Sequence, residues 1–308
     1  MTLYLHLGAH KTATTYLQNV LAHNEMALAQ RGLLRLKIRA RHLFWHLYRD
    51  GDHKAYVRRR RSLGHKIKRF AEAGGHGVFS SETMFGTSDL EGVDCLYPHA
   101  MRVMKTLAAL TEGMDRKVVF YIRRQDDFIE STFINRIQTL ATSIHLDYST
   151  LLADQSWSSF DAYLDSFDPS CLSWLHLIQR MEAVFGKENL IIHPFETILR
   201  SRTEYARTFL APMVETEGLD LAPDVYANRS FSAPALKEFL RLAPLQEYGN
   251  LKSLRRRLQA EYPNTDYPRP RLLDNQQRQS IMRLHTQSNS KIFSDYIQEG
   301  EQKFDYSK

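Results

Sequence analysis

The chain has 308 residues, 43% of them hydrophobic and 25% charged, with 41 Lys+Arg against 35 Asp+Glu for a net charge of +6. That balance excludes disordered, collagen-like and disulfide-framework classes, and a chain of this length buries roughly three quarters of its extended surface without staples. The charge is uneven: 13 Lys/Arg lie between Arg35 and Arg69 against two acids, Asp50 and Asp52, so a local +11 sits on an otherwise slightly acidic chain.

Cys95 and Cys171 are the only cysteines and have no zinc-ligand spacing. The opening MTLYLHLGAHK lacks a basic leader, and no uncharged apolar run approaches the roughly 20 residues of a membrane span. A cytoplasmic protein with no membrane span is therefore expected.

In chain order, Leu3 to Leu7 reads as a short buried strand closed by Gly8. Thr14 to Gln30 reads as one helix, with Leu17, Val20 and Leu21 on a face and Gly32 as its stop. Arg39 to Ala73 is helical in pattern, broken near Asp50-Gly51-Asp52. A strand at 77–80 and a helix at 98–110 precede KVVFYI (117–122), apolar after its lysine as a central parallel strand should be. A helix is predicted over about 127–140, a strand at 190–193, and helices near 201–213, 233–244, 250–260 and 275–298. This alternation predicts a three-layer α/β/α fold with a central parallel sheet, its ligand at the carboxyl ends of the strands. One domain spans 1–308 in this reading, with a basic helical insertion at about 35–73 and a mostly helical part from about 200.

Gly8-Ala9-His10-Lys11-Thr12-Ala13-Thr14-Thr15 lies between the first strand and the first helix. Free N–H groups at a helix start, one lysine and several hydroxyls make an anion cradle there. The Walker pattern is not met, because His10 rather than glycine precedes Lys11. An ordinary threonine-capped helix start is the competing reading.

HLGAHKTATTYLQ resembles the 5′-phosphosulfate loop of sulfotransferases that use 3′-phosphoadenosine 5′-phosphosulfate (PAPS), and looks closest to the bacterial and glycan-directed branch. There Ala13 stands where glycine is more common. The resemblance implies a P-loop-like fold, Lys11 on the phosphosulfate, and His10, Thr12, Ala13, Thr14 and Thr15 around the 5′-phosphate. Arg123, closing the strand 118–122, and Ser131, eight residues on, resemble the family's 3′-phosphate element. A guanidinium gives fixed charge and paired donors, and a serine adds a neutral hydrogen bond. Weaker echoes are NLIIHPFETI, the segment 227–232, from which Arg229 is carried over as a cofactor contact, and the pair Ser288-Asn289.

Sulfuryl transfer to a hydroxyl needs in-line attack, positive charge on the leaving phosphates and a base. Glu82, in GVFSSE at the exit of the second strand, resembles a recurrent S-S-E segment and is the candidate base. Its competing role is capping the following turn or holding a lysine. His10 is the rival base or a residue that orders the loop. His6 and His193 read as packed strand residues, while His42 and His46 have i,i+4 spacing without a third metal ligand. Neither metal nor nucleic acid is expected. The aromatics Phe44, Trp45, Tyr48 and Tyr56, and Trp157, Phe160, Tyr163 and Trp174, suit a sugar acceptor or a core. The expected activity is transfer from PAPS to the hydroxyl of a carbohydrate or other small molecule, releasing 3′-phosphoadenosine 5′-phosphate, and the basic segment 35–69 points to an anionic acceptor or partner. The alternatives are a P-loop kinase using ATP and a non-enzymatic nucleotide- or polyanion-binding module.

Overall fold

A computed structural model describes residues 1–37, 53–140, 155–223, 230–304 and 306. Five strands, β1 (Thr2–His6), β2 (Leu33–Arg35), β3 (His76–Ser80), β4 (Asp115–Ile122) and β5 (Leu190–Pro194), form one sheet in the order β2-β3-β1-β4-β5. Every pairing is parallel, with Leu5 opposite both Phe79 and Val118, and Phe120 opposite Ile192. All five β1 residues are buried, as are the last five of β4, because a central parallel strand is covered on both faces.

The helices are α1 (Thr14–His23), α2 (Glu25–Gln30), α3 (His53–Ala73), α4 (Ala100–Leu110), α5 (Gln125–Leu140) and α6 (Phe160–Asp165). They continue as α7 (Trp174–Phe185), α8 (Thr197–Arg200), α9 (Arg202–Leu210), α10 (Ala233–Leu242), α11 (Leu251–Glu261) and α12 (Asn275–Asp295). Alternation along β1 sorts the two cores. Leu3 and Leu5 face a cluster with Leu63, Leu107, Ile129 and Trp174, whereas Tyr4 faces Leu17, Leu21, Tyr205 and Phe209. The three-layer α/β/α arrangement is thus the one read from the sequence.

Several boundaries differ. The helix expected over 14–30 is two, with Asn24 between them. Its Nδ2 donates to the Val20 and Asp220 carbonyls at 2.9 and 2.7 Å, and its Oδ1 accepts from Asp220 N at 3.0 Å. The short strand β2 was not anticipated, nor were α6 and α7 in the aromatic-rich stretch. Of the predicted helix 39–73, α3 is described, and 38–52 lies outside the described residues with His42, Phe44, Trp45, His46 and Tyr48. Among the described residues no helix is long and apolar enough to cross a membrane.

Candidate active site

β1 occupies the middle of the sheet, between β3 and β4, so the chain segments leaving these three strands lie side by side. They carry Glu82, the loop 8–15 and Arg123. The crevice at the carboxyl edge of an open α/β sheet, where strand order reverses, is where such folds hold ligands.

Beyond β1 the loop keeps pace with β4: Leu7 N and Ala9 N donate to the Val119 and Tyr121 carbonyls at 3.2 and 3.1 Å. It then turns sharply. Gly8 has φ +105°, open to glycine, while Lys11 (φ 60°) and Ala13 (φ 54°) are left-handed without being glycine. Ala13 is the N-cap of α1, with no side-chain cap hydrogen bond. The first-turn amides of α1 are therefore not closed by Ala13, which is the arrangement that favours an anion.

The neighbouring strands brace this turn. Glu82 Oε1 accepts from the Lys11 amide at 3.1 Å, and Arg123 Nη1 donates to the Lys11 carbonyl at 2.8 Å. Lys11 Nζ donates to Asn135 Oδ1 on α5 at 3.3 Å, and Asn135 in turn donates to Ser88. The Tyr205 hydroxyl donates to the Thr12 carbonyl at 2.5 Å. Trp174 Nε1 donates to the Arg123 carbonyl at 2.7 Å, its ring lying edge-on to Phe120 and Phe128.

The threonines have separate surroundings. Thr12 is buried, and its hydroxyl donates to the Ala9 carbonyl at 2.7 Å, so it staples the loop. Thr14 is equally buried, but its hydroxyl has no hydrogen-bond partner in the structure. Thr15 is half-buried in the first turn. His10 is enclosed by Tyr97, whose hydroxyl meets both the His10 amide and Nδ1 at 3.0 Å. Burial holds the His10 imidazole below its ordinary pKa, with Glu82 opposing and Lys11 reinforcing the shift. That geometry ties both the amide and the ring of His10 to one tyrosine.

Two cations, Lys11 and Arg123, are half-buried here. Burial pushes the Lys11 ammonium down, with Glu82 opposing and Arg123 reinforcing it. Arg123 is depressed chiefly by burial, against the pull of Asp127 and Glu196, and the like charge of Arg269 depresses it further. Its guanidinium lies over the Phe195 ring at 4.6 Å, and its Nε is buried without a partner. A desolvated cation with an unmade hydrogen bond is stabilised by an incoming anion. Ser131 sits half-buried on α5, two turns on, with no hydrogen bond to Arg123 or the loop. Arg229 lies outside the described residues. Among the described residues there is no group of three or more His, Cys, Asp or Glu able to hold a metal.

Sequence reasoning did not anticipate how Arg123 is framed. Arg124 N donates to Glu196 Oε1 at 3.1 Å, and the Tyr306 hydroxyl donates to Glu196 Oε2. Burial raises the Glu196 pKa, with the Tyr306 hydrogen bond acting against it. Arg278 on α12 bridges Asp126, Asp127 and Glu130 at 3.1, 3.0 and 2.6 Å, fixing the start of α5. The amides of Gln125 and Asn289 exchange hydrogen bonds at 2.9 and 3.1 Å, which gives Asn289 a packing role. His6 is packed as expected, its Nδ1 at 2.9 Å from Ser80 Oγ, and His193 Nδ1 meets Glu301 at 2.7 Å. Of the aromatics weighed for an acceptor, Tyr56, Trp157, Tyr163 and Trp174 are core. No sequence-only signal marks Asn135, Tyr97 or Tyr205, whose partners lie far along the chain.

Neither a family model nor a curated protein matches the chain. Among solved structures it is similar to a sulfotransferase from Alicyclobacillus acidocaldarius, at 17% identity and a TM-score of 0.41, over 80% of this chain and 93% of that one.

Proposed function

We propose that the chain is a sulfotransferase that moves the sulfuryl group of PAPS to a hydroxyl of an acceptor. The observation that carries this reading is the hydrogen bond from Arg123 to the Lys11 carbonyl, which brings two half-buried cations together at the uncapped start of α1. The residues present fit a nucleotide with phosphates at both ends. The open hydroxyl of Thr14 and the uncapped amides of α1 suit the 5′ side, and the orphaned Nε of Arg123 suits the 3′-phosphate. Ser131 and Arg269 would add to the 3′ side, as would Arg229 by family resemblance.

In this reading Lys11 neutralises charge that develops on the leaving phosphate as the S–O bond to it breaks. The acceptor oxygen forms the new S–O bond and gives its proton to Glu82. One carboxylate oxygen of Glu82 is already engaged by the Lys11 amide, so the base is fixed to the loop that positions the donor. The products are the sulfated acceptor and 3′-phosphoadenosine 5′-phosphate.

A thermal-shift titration tests the donor. 3′-Phosphoadenosine 5′-phosphate is expected to raise the melting temperature as its concentration passes its Kd, and Lys11→Ala to abolish that shift. Stabilisation by ATP–Mg²⁺ without any response to the bisphosphate would replace this reading with a kinase. Transfer of label from radiolabelled PAPS to a mixture of hydroxyl acceptors then tests the reaction.

A further inference from the structure

α3 is a two-sided helix. Tyr56, Leu63, Ile67 and Phe70 are buried on one side. Lys54, Arg58, Arg61, His65, Lys68 and Arg69 fall within about a third of a turn on the opposite side, by the 100° step of an α-helix. All six are exposed. Lys54, Arg58, Arg61, His65, Lys66 and Arg69 line a groove of about 790 Å³. Among the described residues, the one carboxylate within ion-pair distance of the α3 cations is Glu72, at 4.0 Å from Lys68. Lys66 Nζ donates to the Lys37 carbonyl, a neutral partner. Among the described residues the stripe is thus a run of basic groups with few matching anions, backed by a buried seam.

The spacing along the axis selects the ligand. Steps of three and four residues separate Lys54, Arg58, Arg61, His65 and Arg69, so a basic side chain recurs about every 5–6 Å over about 22 Å. A chain of anionic sugar rings carries its carboxylates or sulfates at a comparable repeat, and guanidinium forks pair with such groups in bidentate fashion. Single-stranded nucleic acid would call for exposed aromatic platforms, yet both α3 aromatics, Tyr56 and Phe70, are buried. A membrane surface would call for large apolar side chains beside the cations, and none of the exposed large hydrophobic residues lies on α3.

We propose that the basic groove of α3 is a binding site for a linear acidic polysaccharide. The helix is well placed for it: α3 packs on α4, with Tyr56 against Thr106 at 3.0 Å, and α4 begins three residues after Tyr97, the partner of His10. That the bound chain also carries the accepting hydroxyl rests on the sulfuryl-transfer reading; the binding itself does not.

Fluorescence anisotropy with a labelled heparin oligosaccharide tests the site, with neutral dextran, single-stranded DNA and phosphatidylserine vesicles as competitors. Heparin is expected to bind most tightly, with an affinity that falls as salt rises. Combining Arg58→Glu, Arg61→Glu and Arg69→Glu should weaken it about tenfold or more while circular dichroism and melting temperature stay as in the parent. Undiminished heparin binding by this variant overturns the proposal, as does tighter binding of DNA or of vesicles. Titration of the same proteins with 3′-phosphoadenosine 5′-phosphate keeps the two readings apart. Loss of nucleotide binding with heparin binding intact removes only the transferase reading, and the reverse pattern removes only the groove.

Discussion

Ala13 shows what a single residue decides in this loop. At φ 54° an alanine is held where its Cβ crowds the following carbonyl, at a cost of about 1 kcal/mol that glycine would not bear. The glycine more common at this position in the resembling family has the same explanation. Ala13→Gly is accordingly expected to stabilise the protein by up to about 1 kcal/mol in urea denaturation, part of the gain being offset by a looser unfolded chain. Lower stability would show that the alanine methyl packs favourably enough to outweigh its backbone. Glu82→Gln isolates the proton transfer, because an amide oxygen can still accept from the Lys11 N–H. Turnover should fall by about 10²-fold or more, with the affinity for 3′-phosphoadenosine 5′-phosphate almost unchanged. Unchanged turnover would move the base elsewhere. Residue type and place after a strand single out Lys11, Arg123 and Glu82, and the fold joins the three at the Lys11 backbone. Tyr97, Asn135 and Tyr205 are not singled out in this way, because each acts through a partner more than 80 positions away.

At the scale of elements, legibility followed burial pattern. β1 and β4 announce themselves because both faces are apolar, and α1 and α4 because their buried positions recur at helical spacing. β2 has three residues, one of them buried, too short for any period to register. The break between α1 and α2 falls at Asn24, whose side chain exchanges hydrogen bonds with Asp220, nearly 200 positions away. Asn24→Ala removes those bonds and strands a backbone donor and acceptor of Asp220. A loss of about 1–3 kcal/mol is expected in chemical denaturation, with the carboxyl edge of the sheet undisturbed. An Asn24→Ala protein as stable as its parent would mean that water replaces the asparagine at no cost.

For the molecule as a whole, the buried histidine of β1 couples stability to pH. His6 is sealed between Ser80, Tyr121 and Phe209, and burial, reinforced by the like charge of His193, lowers its pKa from 6.5 to about 3. Above pH 6.5 the imidazole is neutral in folded and unfolded chains alike. Below it the unfolded chain takes up a proton that the folded one refuses, so stability drains away as pH falls from 6.5 toward 3. The melting temperature should decline across this window more steeply in the parent than in His6→Gln, and parallel profiles would assign the acid sensitivity to other groups. No sequence pattern announces that shift, since it depends on enclosure by two strands and a helix that only the fold brings together.

The end of β5 is finished by residues far downstream. His193 is met by Glu301 and Glu196 by Tyr306, contacts that span 108 and 110 positions. During synthesis the first strand, its loop and Lys11 emerge before Arg123. The frame around that arginine must wait until residue 306 has cleared the ribosome. A nascent chain therefore carries the loop 8–15 before the residues that frame Arg123 are all present, and that frame closes only once Tyr306 has joined it.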